Sequence, residues 1–389
     1  MPASPSVALC RDAIVPQRGT ARISFLVWAG IMKILQIVTQ MEAAGAQRAA
    51  YLLHEALRRR GHETELWFLY LKRPAYSNKP GVRVIVNQRP SLLGNVLLAF
   101  KLFAWIRATR PEVLITHTHY ANILGQLVGS LAGVRRRVAV HHGILGKYPT
   151  LARYADWLCG TLGIYTSQIA VSDSVVESMS NYPARYKRNV RRVYNGVMVG
   201  RDAGLQLKQP ENFPSNCPRI LHVGRLSQEK NHQALFESLL ELPSAQLVLV
   251  GNGELREKLE RQVKTMGLAD RIRFLGEIPH PEVGALMSAC DLFLFPSSYE
   301  AMPMALLEAM AAGMAIVASD IPANREVLED AGILVPLVPH GLSRAVQELL
   351  SDPRYAREFG RKAARRANKF SVEAMVDGYE RLLIPKSIL

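Results

Sequence analysis

The sequence predicts an α/β protein of two doubly wound domains facing each other across a cleft, and three observations carry that expectation. The chain has 389 residues, more than one ordinary domain and suited to two. A strand–helix alternation begins at Lys33, stops, and restarts at Arg219; alternation of this kind implies βαβ crossovers and a mostly parallel sheet with helices on both faces. The interruption, residues 200–218, is polar, Pro-bearing and without period, and it reads as a linker.

In the first unit, β-rich runs at 34–39, 65–70, 83–86, 113–116, 137–141, 168–171 and 190–193 are expected strands. Stretches 46–60, 92–109 and 121–132 have helical length and period. In the second unit the expected strands are 219–223, 246–250, 271–275, 292–295, 315–318 and 333–335, and the expected helices include 231–242, 254–266 and 303–312. A last helical run, 371–383, closes the chain and could pack on either domain. The expected organisation is therefore an extension (1–31), a first domain (32–199), a linker (200–218), a second domain (219–370) and a C-terminal helix (371–389). Residues 1–31 read as a start-site miscall or a disordered extension, because "MKILQIVTQ" from Met32 looks like a true first strand.

Composition narrows the function classes. No uninterrupted apolar run reaches the roughly 18 residues of a spanning helix. Cys10, Cys159, Cys217 and Cys290 lie far apart with no CxxC pair, which excludes a disulfide framework and points to a cytoplasmic setting. The net charge of +15 is unevenly placed: residues 33–213 hold 25 Lys and Arg against 10 Asp and Glu, whereas 214–389 hold 20 against 22. A basic first half suits an anionic acceptor or an anionic membrane surface. Nucleic acid is not an expected partner, because aromatic interleaving and any recognised motif are missing. Residues 91–110, rich in Leu, Phe and Trp and flanked by cations, suit either an interfacial helix or a packed one. With the clusters at 58–60, 135–137 and 185–192 they raise peripheral association at the inner membrane face.

Two segments of the second half carry chemistry. In "PSSYEAMPMALLEAMAAG" (296–313), a strand and turn lead to Pro303, which suits the first turn of a helix. The amides of Met302, Met304 and Ala305 would face an anion or hydroxyl, and Glu300 and Glu308 can address the same ligand. Carboxylates that accept from hydroxyls beside a phosphate-binding helix start suit a phosphorylated polyol; acids that merely complement the helix dipole are the plainer alternative. In "HVGRLSQEKN" (222–231) a strand ends, Gly224 opens a turn, and Arg225 and Lys230 flank the start of a helix, as a diphosphate site requires. "GNGEL" (251–255) repeats the strand–glycine–helix layout around Gly251 but lacks the third glycine of a dinucleotide fingerprint.

Together and in this order, these motifs resemble the large family of retaining glycosyltransferases with two Rossmann-like domains, the GT-B fold, from about Met32 to the C-terminus. The resemblance implies an enzyme moving a sugar from a nucleotide-sugar donor to a glycan or lipid-linked acceptor, with no further cofactor. It implies that Arg225 and Lys230 hold the donor diphosphate beside Gly224 and Gly251, and that Glu308 binds the ribose. Glu300 would sit near the sugar, and Ala301, Met302, Pro303 and Met304 would form the loop over its hydroxyls. Ala301 departs from the glycine common there. In the first domain, the acceptor side, "TQMEAAGAQR" (39–48) resembles the glycine-bearing first loop, with Gly45 near phosphate or acceptor. "THTHYANILG" (116–125) resembles the HxH segment, His119 reaching the donor sugar and His117 equally readable as a core residue. His142 of "VHHG" is a candidate for the acceptor side, and Asn195 and Gly196 of "YNGV" would line the hinge. No metal ligand set is expected, since Asp-x-Asp is missing from the chain. A relative that binds the nucleotide sugar without turnover, as a subunit of a glycan assembly complex, is the alternative reading.

Overall fold

The computed structural model describes residues 30–200, 217–338 and 340–383. The expected extension, but for its last two residues, and nearly all of the expected linker lie outside them.

The first sheet is built from β1 (Lys33–Met41), β2 (Glu63–Leu71), β3 (Val82–Val86), β4 (Val113–His117), β5 (Arg136–His141), β6 (Ser167–Ala170) and β7 (Val190–Arg192). All its pairings are parallel, in the order β3-β2-β1-β4-β5-β6-β7. The period-2 alternation of β1 divides its side chains between two layers. Ile34 packs with α1 (Gly45–Arg59) on one face. Leu35 and Ile37 pack with α2 (Leu92–Thr109) and α3 (His119–Leu131) on the other. On that second face α4 (Thr150–Leu162) follows alongside α3, and Cys159 packs on Ala139. The short helices α5 (Asp173–Glu177) and α6 (Ala184–Lys187) complete the domain.

The second sheet contains β8 (Arg219–Val223), β9 (Gln246–Val250), β10 (Ile272–Gly276), β11 (Leu292–Phe295), β12 (Ala315–Ser319) and β13 (Ile333–Val335), again all parallel, in the order β10-β9-β8-β11-β12-β13. Helices α7 (His232–Leu240), α8 (Arg256–Thr265), α9 (His280–Ala289), α10 (Met304–Ala311), α11 (Pro322–Leu328), α12 (Gly341–Ser351) and α13 (Pro353–Ala367) alternate with the strands and follow them. The chain thus forms two doubly wound parallel sheets, as the alternation predicts. Strand order reverses between β1 and β4 in one sheet and between β8 and β11 in the other. At such a point, flanking loops diverge to opposite faces and leave a crevice at the strand carboxyl ends.

Two crossings join the domains side by side. Val197 donates its amide to Phe370 O (2.8 Å), Val372 returns one to Val197 O (3.1 Å), and Val197 forms a parallel bridge with Ser371. Gly196 is required here, because a Cβ would stand 2.7 Å from Val372 Cα. The final helix, α14 (Val372–Leu383), lies against α1, with Arg60 paired to Glu380 and Asp377, both at 2.6 Å.

Helix α2 is packed along a single narrow stripe, Leu98, Leu102 and Ile106. Among the described residues it is the one helix long and apolar enough to cross a membrane by length and composition, at a mean hydropathy of 1.4. Asn95, Lys101 and Arg107 punctuate the segment, so it holds no uninterrupted apolar run of spanning length.

Candidate active site

The segments singled out in the sequence leave the carboxyl ends of the four strands that flank the two switch points. "TQMEAAGAQR" follows β1, "THTHY" follows β4, "HVGRLSQEKN" follows β8 and "PSSYEAMPM" follows β11.

On the second domain, Gly224 N bonds Val250 O (2.9 Å) and the chain turns through a 3-10 segment at Gln228–Lys230 before α7. Lys230 is therefore on that turn rather than at the helix start. Its Nζ donates to Glu300 Oε1 at 2.5 Å and lies 5.1 Å from the Phe295 ring centroid. Gly251 has φ +128° and a Cβ there would meet Gly224 O at 1.9 Å; one on Gly253 would meet Leu226 O at 2.3 Å. The two glycines let the β9 loop lie directly against the Arg225 loop, a close backbone approach that no side chain permits. Ser298 N and Oγ both donate to Glu229 O (2.8 and 3.2 Å), tying the β11 loop to the same unit.

Pro303 caps α10 instead of occupying its first turn, with Met304 the first helical residue. The amides of Leu306 and Leu307 both go to Pro303 O (3.1 and 3.2 Å). Those of Met304 and Ala305 have no acceptor within the helix and present its positive end to the cleft. Ala301 is not among the residues with positive φ, so alanine in place of the common glycine introduces no backbone strain.

Across the cleft, Gly45 begins α1, and a Cβ on it would stand 3.3 Å from Met304 Cγ. The N-termini of α1 and α10 therefore meet, and two helix starts converging on one place favour an anion between them. Beside them Arg48 Nη2 lies 3.2 Å from His280 Nδ1, and His280 Nε2 donates to Glu308 Oε1 at 2.7 Å. Glu42 Oε2 accepts from Lys72 Nζ (2.8 Å), while its Oε1 accepts from Gln40 and lies 3.4 Å from Arg225 Nη2. Burial alone would raise the Glu42 carboxyl, but the bonds from Lys72 and Gln40 and the Arg225 charge outweigh it and hold it below the ordinary value.

The β4 exit is strained. Thr118, a β-branched residue, has φ 74° and ψ 150°, a region close to glycine-only. Its Oγ1 lies 2.5 Å from Thr39 Oγ1, which in turn accepts from Ala121 N (3.1 Å). This turn starts α3 at His119, whose ring lies 4.8 Å from that of Tyr148. Burial lowers the His119 pKa, so the ring is neutral. The loop that carries Tyr148 also reaches the second domain: Ile144 N donates to Tyr299 OH (3.3 Å), next to Glu300.

His142 turns to His117, its Nε2 3.0 Å from His117 Nδ1, and His117 Nε2 lies 2.9 Å from Gln36 Oε1. With Gln36 Oε1 accepting, His117 carries its proton on Nε2 and receives one from His142. Burial keeps both neutral, His142 down to about 3. His117 is a satisfied core residue, 1% exposed.

The structure thus gathers Gly45, Gly224, Arg225, Lys230, Gly251, Glu300, residues 301–304 and Glu308 around one cleft. His119 borders it through Tyr148, and His142 is directed to His117. Sequence reasoning did not single out Glu42, Arg48, His280 or Tyr299. Glu42, Arg48 and Tyr299 stood within quoted motifs; His280 gave no local signal. Among the described residues, no group of three or more His, Cys, Asp or Glu side chains comes together as a metal site would require.

Two facing parallel-sheet domains whose helix starts meet at the switch points define the class of GT-B glycosyltransferases. Residues 43–201 match the model for Glycosyltransferase Family 4, and residues 205–366 that for Glycosyl transferases group 1, most of the chain between them. The chain belongs to this family and is an enzyme, a glycosyltransferase. It is 26% identical over 302 residues to the lipopolysaccharide core biosynthesis glycosyltransferase LpsE of Rhizobium meliloti, covering 76% of this chain and 82% of that one. It is 28% identical over 348 residues to the phosphatidyl-myo-inositol mannosyltransferase of Mycolicibacterium smegmatis, covering 84% and 86%. Among solved structures, Anabaena Alr3699/HepE in complex with UDP and glucose superposes with a TM-score of 0.76 at 21% identity, over 90% of this chain and 99% of that one.

Proposed function

We propose that the protein is a retaining, metal-independent hexosyltransferase that moves a sugar from a nucleotide-sugar donor to a glycan or lipid-linked acceptor in polysaccharide or glycolipid synthesis. The reading rests on Arg225 and the Lys230–Glu300 pair standing at the second domain's switch point, opposite the α1 N-terminus. A diphosphate there meets two cations and the amides of α10, so charge on the departing phosphate is neutralised by fixed protein groups. Glu300 is placed by Lys230 to accept from donor-sugar hydroxyls, and Glu308 to accept from a ribose. Neutral His119 approaches from the acceptor side. Sugar donors fit the complexes reported for Alr3699/HepE with UDP-glucose, and a lipid acceptor fits the phosphatidyl-myo-inositol relative. Transfer occurs on one face of the sugar, the leaving phosphate taking the acceptor's proton. The enzyme works in the cytoplasm, peripherally at an anionic membrane surface. The test is the product's anomeric configuration by proton NMR with EDTA present. Retention at an unchanged rate is expected; inversion, or loss of turnover restored by a divalent ion, would overturn the mechanism.

A further inference from the structure

We propose that the outer face of α2, α3 and α4 is the surface by which this enzyme docks on an anionic lipid bilayer. The inference rests on the membrane association proposed above and gives it a location.

These helices form one layer on one side of the first sheet, α3 between α2 and α4. Their outward residues are apolar to a degree unusual for solvent. On α2, Leu92, Leu93, Val96, Leu97 and Phe100 are 53% to 88% exposed. On α4, Leu151, Tyr154, Leu158 and Leu162 recur at i, i+3, i+7 and i+11 and are 48% to 83% exposed. Leu127 and Leu131 of α3, one turn apart, join the two stripes. A contiguous apolar surface of this kind marks an interaction site.

Charge selects the partner. The charged side chains on these three helices that reach solvent are Lys101 and Arg107, exposed, and Arg153, half-buried, all basic. Their one acid, Asp156, is fully buried and accepts from Tyr165 (3.0 Å) and Tyr186 (2.6 Å). A second copy docked through the same face would set these cations against their own equivalents with no carboxylate to answer them. An anionic bilayer answers both features, taking apolar side chains below the headgroups and cations at their level.

At the cleft end of the face, a groove of about 430 Å³ runs between α2 and the β3–α2 loop. Val86, Pro90 and Leu97 line it beside Arg89 and Lys101. Lys101 Nζ donates to Ile85 O (2.9 Å), and Arg89 makes no ion pair among the described residues. A lipid phosphate fits this mixture of cations and apolar wall. Two members of the basic clusters prominent in the sequence are engaged elsewhere. Arg60, on the opposite face of the sheet, is held by Glu380 and Asp377, and Arg192 pairs with Asp173. Since α2, α3 and α4 all start at strand carboxyl ends, the bilayer would lie beside the cleft mouth, where a lipid-linked acceptor enters.

The test is sedimentation with vesicles of phosphatidylcholine, with and without phosphatidylglycerol, at about 0.15 M salt. Wild type should pellet with the anionic vesicles only. A Leu93→Ser/Phe100→Ser variant should lose about tenfold or more in partitioning, and Arg107→Glu should also weaken it. Arg59→Ala, on the far face, should bind as wild type, and all variants should release nucleoside diphosphate in solution at the wild-type rate. Wild type left in the supernatant overturns both this surface and the membrane reading, while glycosyl transfer stands. Binding unchanged by the α2 substitutions overturns the surface alone. A dimer at sedimentation equilibrium, dissolved by the same substitutions, would assign the face to a second copy instead.

Discussion

Arg225 of the second domain and Glu42 of the first face each other across the cleft, guanidinium Nη2 to carboxylate Oε1 at 3.4 Å. Glu42 is buried and Arg225 nearly half exposed, so the carboxylate is the fixed member and the cation the one that can turn. On the proposed function, a donor diphosphate competes with Glu42 for Arg225. Glu42→Gln keeps the shape, removes the charge, and should tighten nucleoside diphosphate binding up to about fivefold, the range of a partly exposed ion pair. Calorimetric titration measures it; weaker binding would mean that the carboxylate helps to hold the ligand.

The glycine loop gives a stability prediction. Gly251→Ala places a Cβ 1.9 Å from Gly224 O at φ +128°, so the backbone must move. Gly133, at φ +85°, has nothing within 4 Å of a built Cβ. Its alanine variant should lose only the conformational cost, about 1 kcal/mol, whereas Gly251→Ala should lose at least about twice as much. Urea denaturation of the two variants checks this, and equal losses would refute the close approach.

Acid stability should follow the His117–His142 pair, in which His117 is buried and His142 half-buried. Both are neutral when folded, His142 down to about 3, while unfolded histidines titrate near 6.5. Between those values the unfolded chain binds more protons, so the pair's contribution is fully present above about pH 6.5 and is lost as pH falls toward 3. Each proton contributes a slope of about 1.4 kcal/mol per pH unit. His142→Gln should flatten the dependence of unfolding free energy on pH by one such slope between about pH 6 and 4; an unchanged slope would contradict the neutral pair.

Much of this architecture was legible in the sequence because parallel strands buried on both faces are short apolar runs, and here they alternate regularly with helix-length stretches. Strand 292–295 and helix 92–109 fall where the pattern puts them. Helix α4 was not marked out, and the reason is physical: its apolar stripe faces outward while Asp156 points in, which reverses the usual pattern. The glycine and cation motifs were readable because their spacing is local. The partners that join the domains were not: Arg48 meets His280 across 232 residues of chain and Glu42 meets Arg225 across 183. Such pairs exist only once two sheets have been set face to face.

The central claim is tested most directly by nucleoside diphosphate release from a panel of nucleotide sugars, with EDTA present. Wild type would be run beside Glu308→Ala and Arg225→Ala/Lys230→Ala. Selective release from one donor is expected, reduced on the order of a hundredfold or more in the double variant, as for lost leaving-group stabilisation. Release that survives in the double variant, or a protein that neither binds nor turns over any nucleotide sugar, would contradict the account.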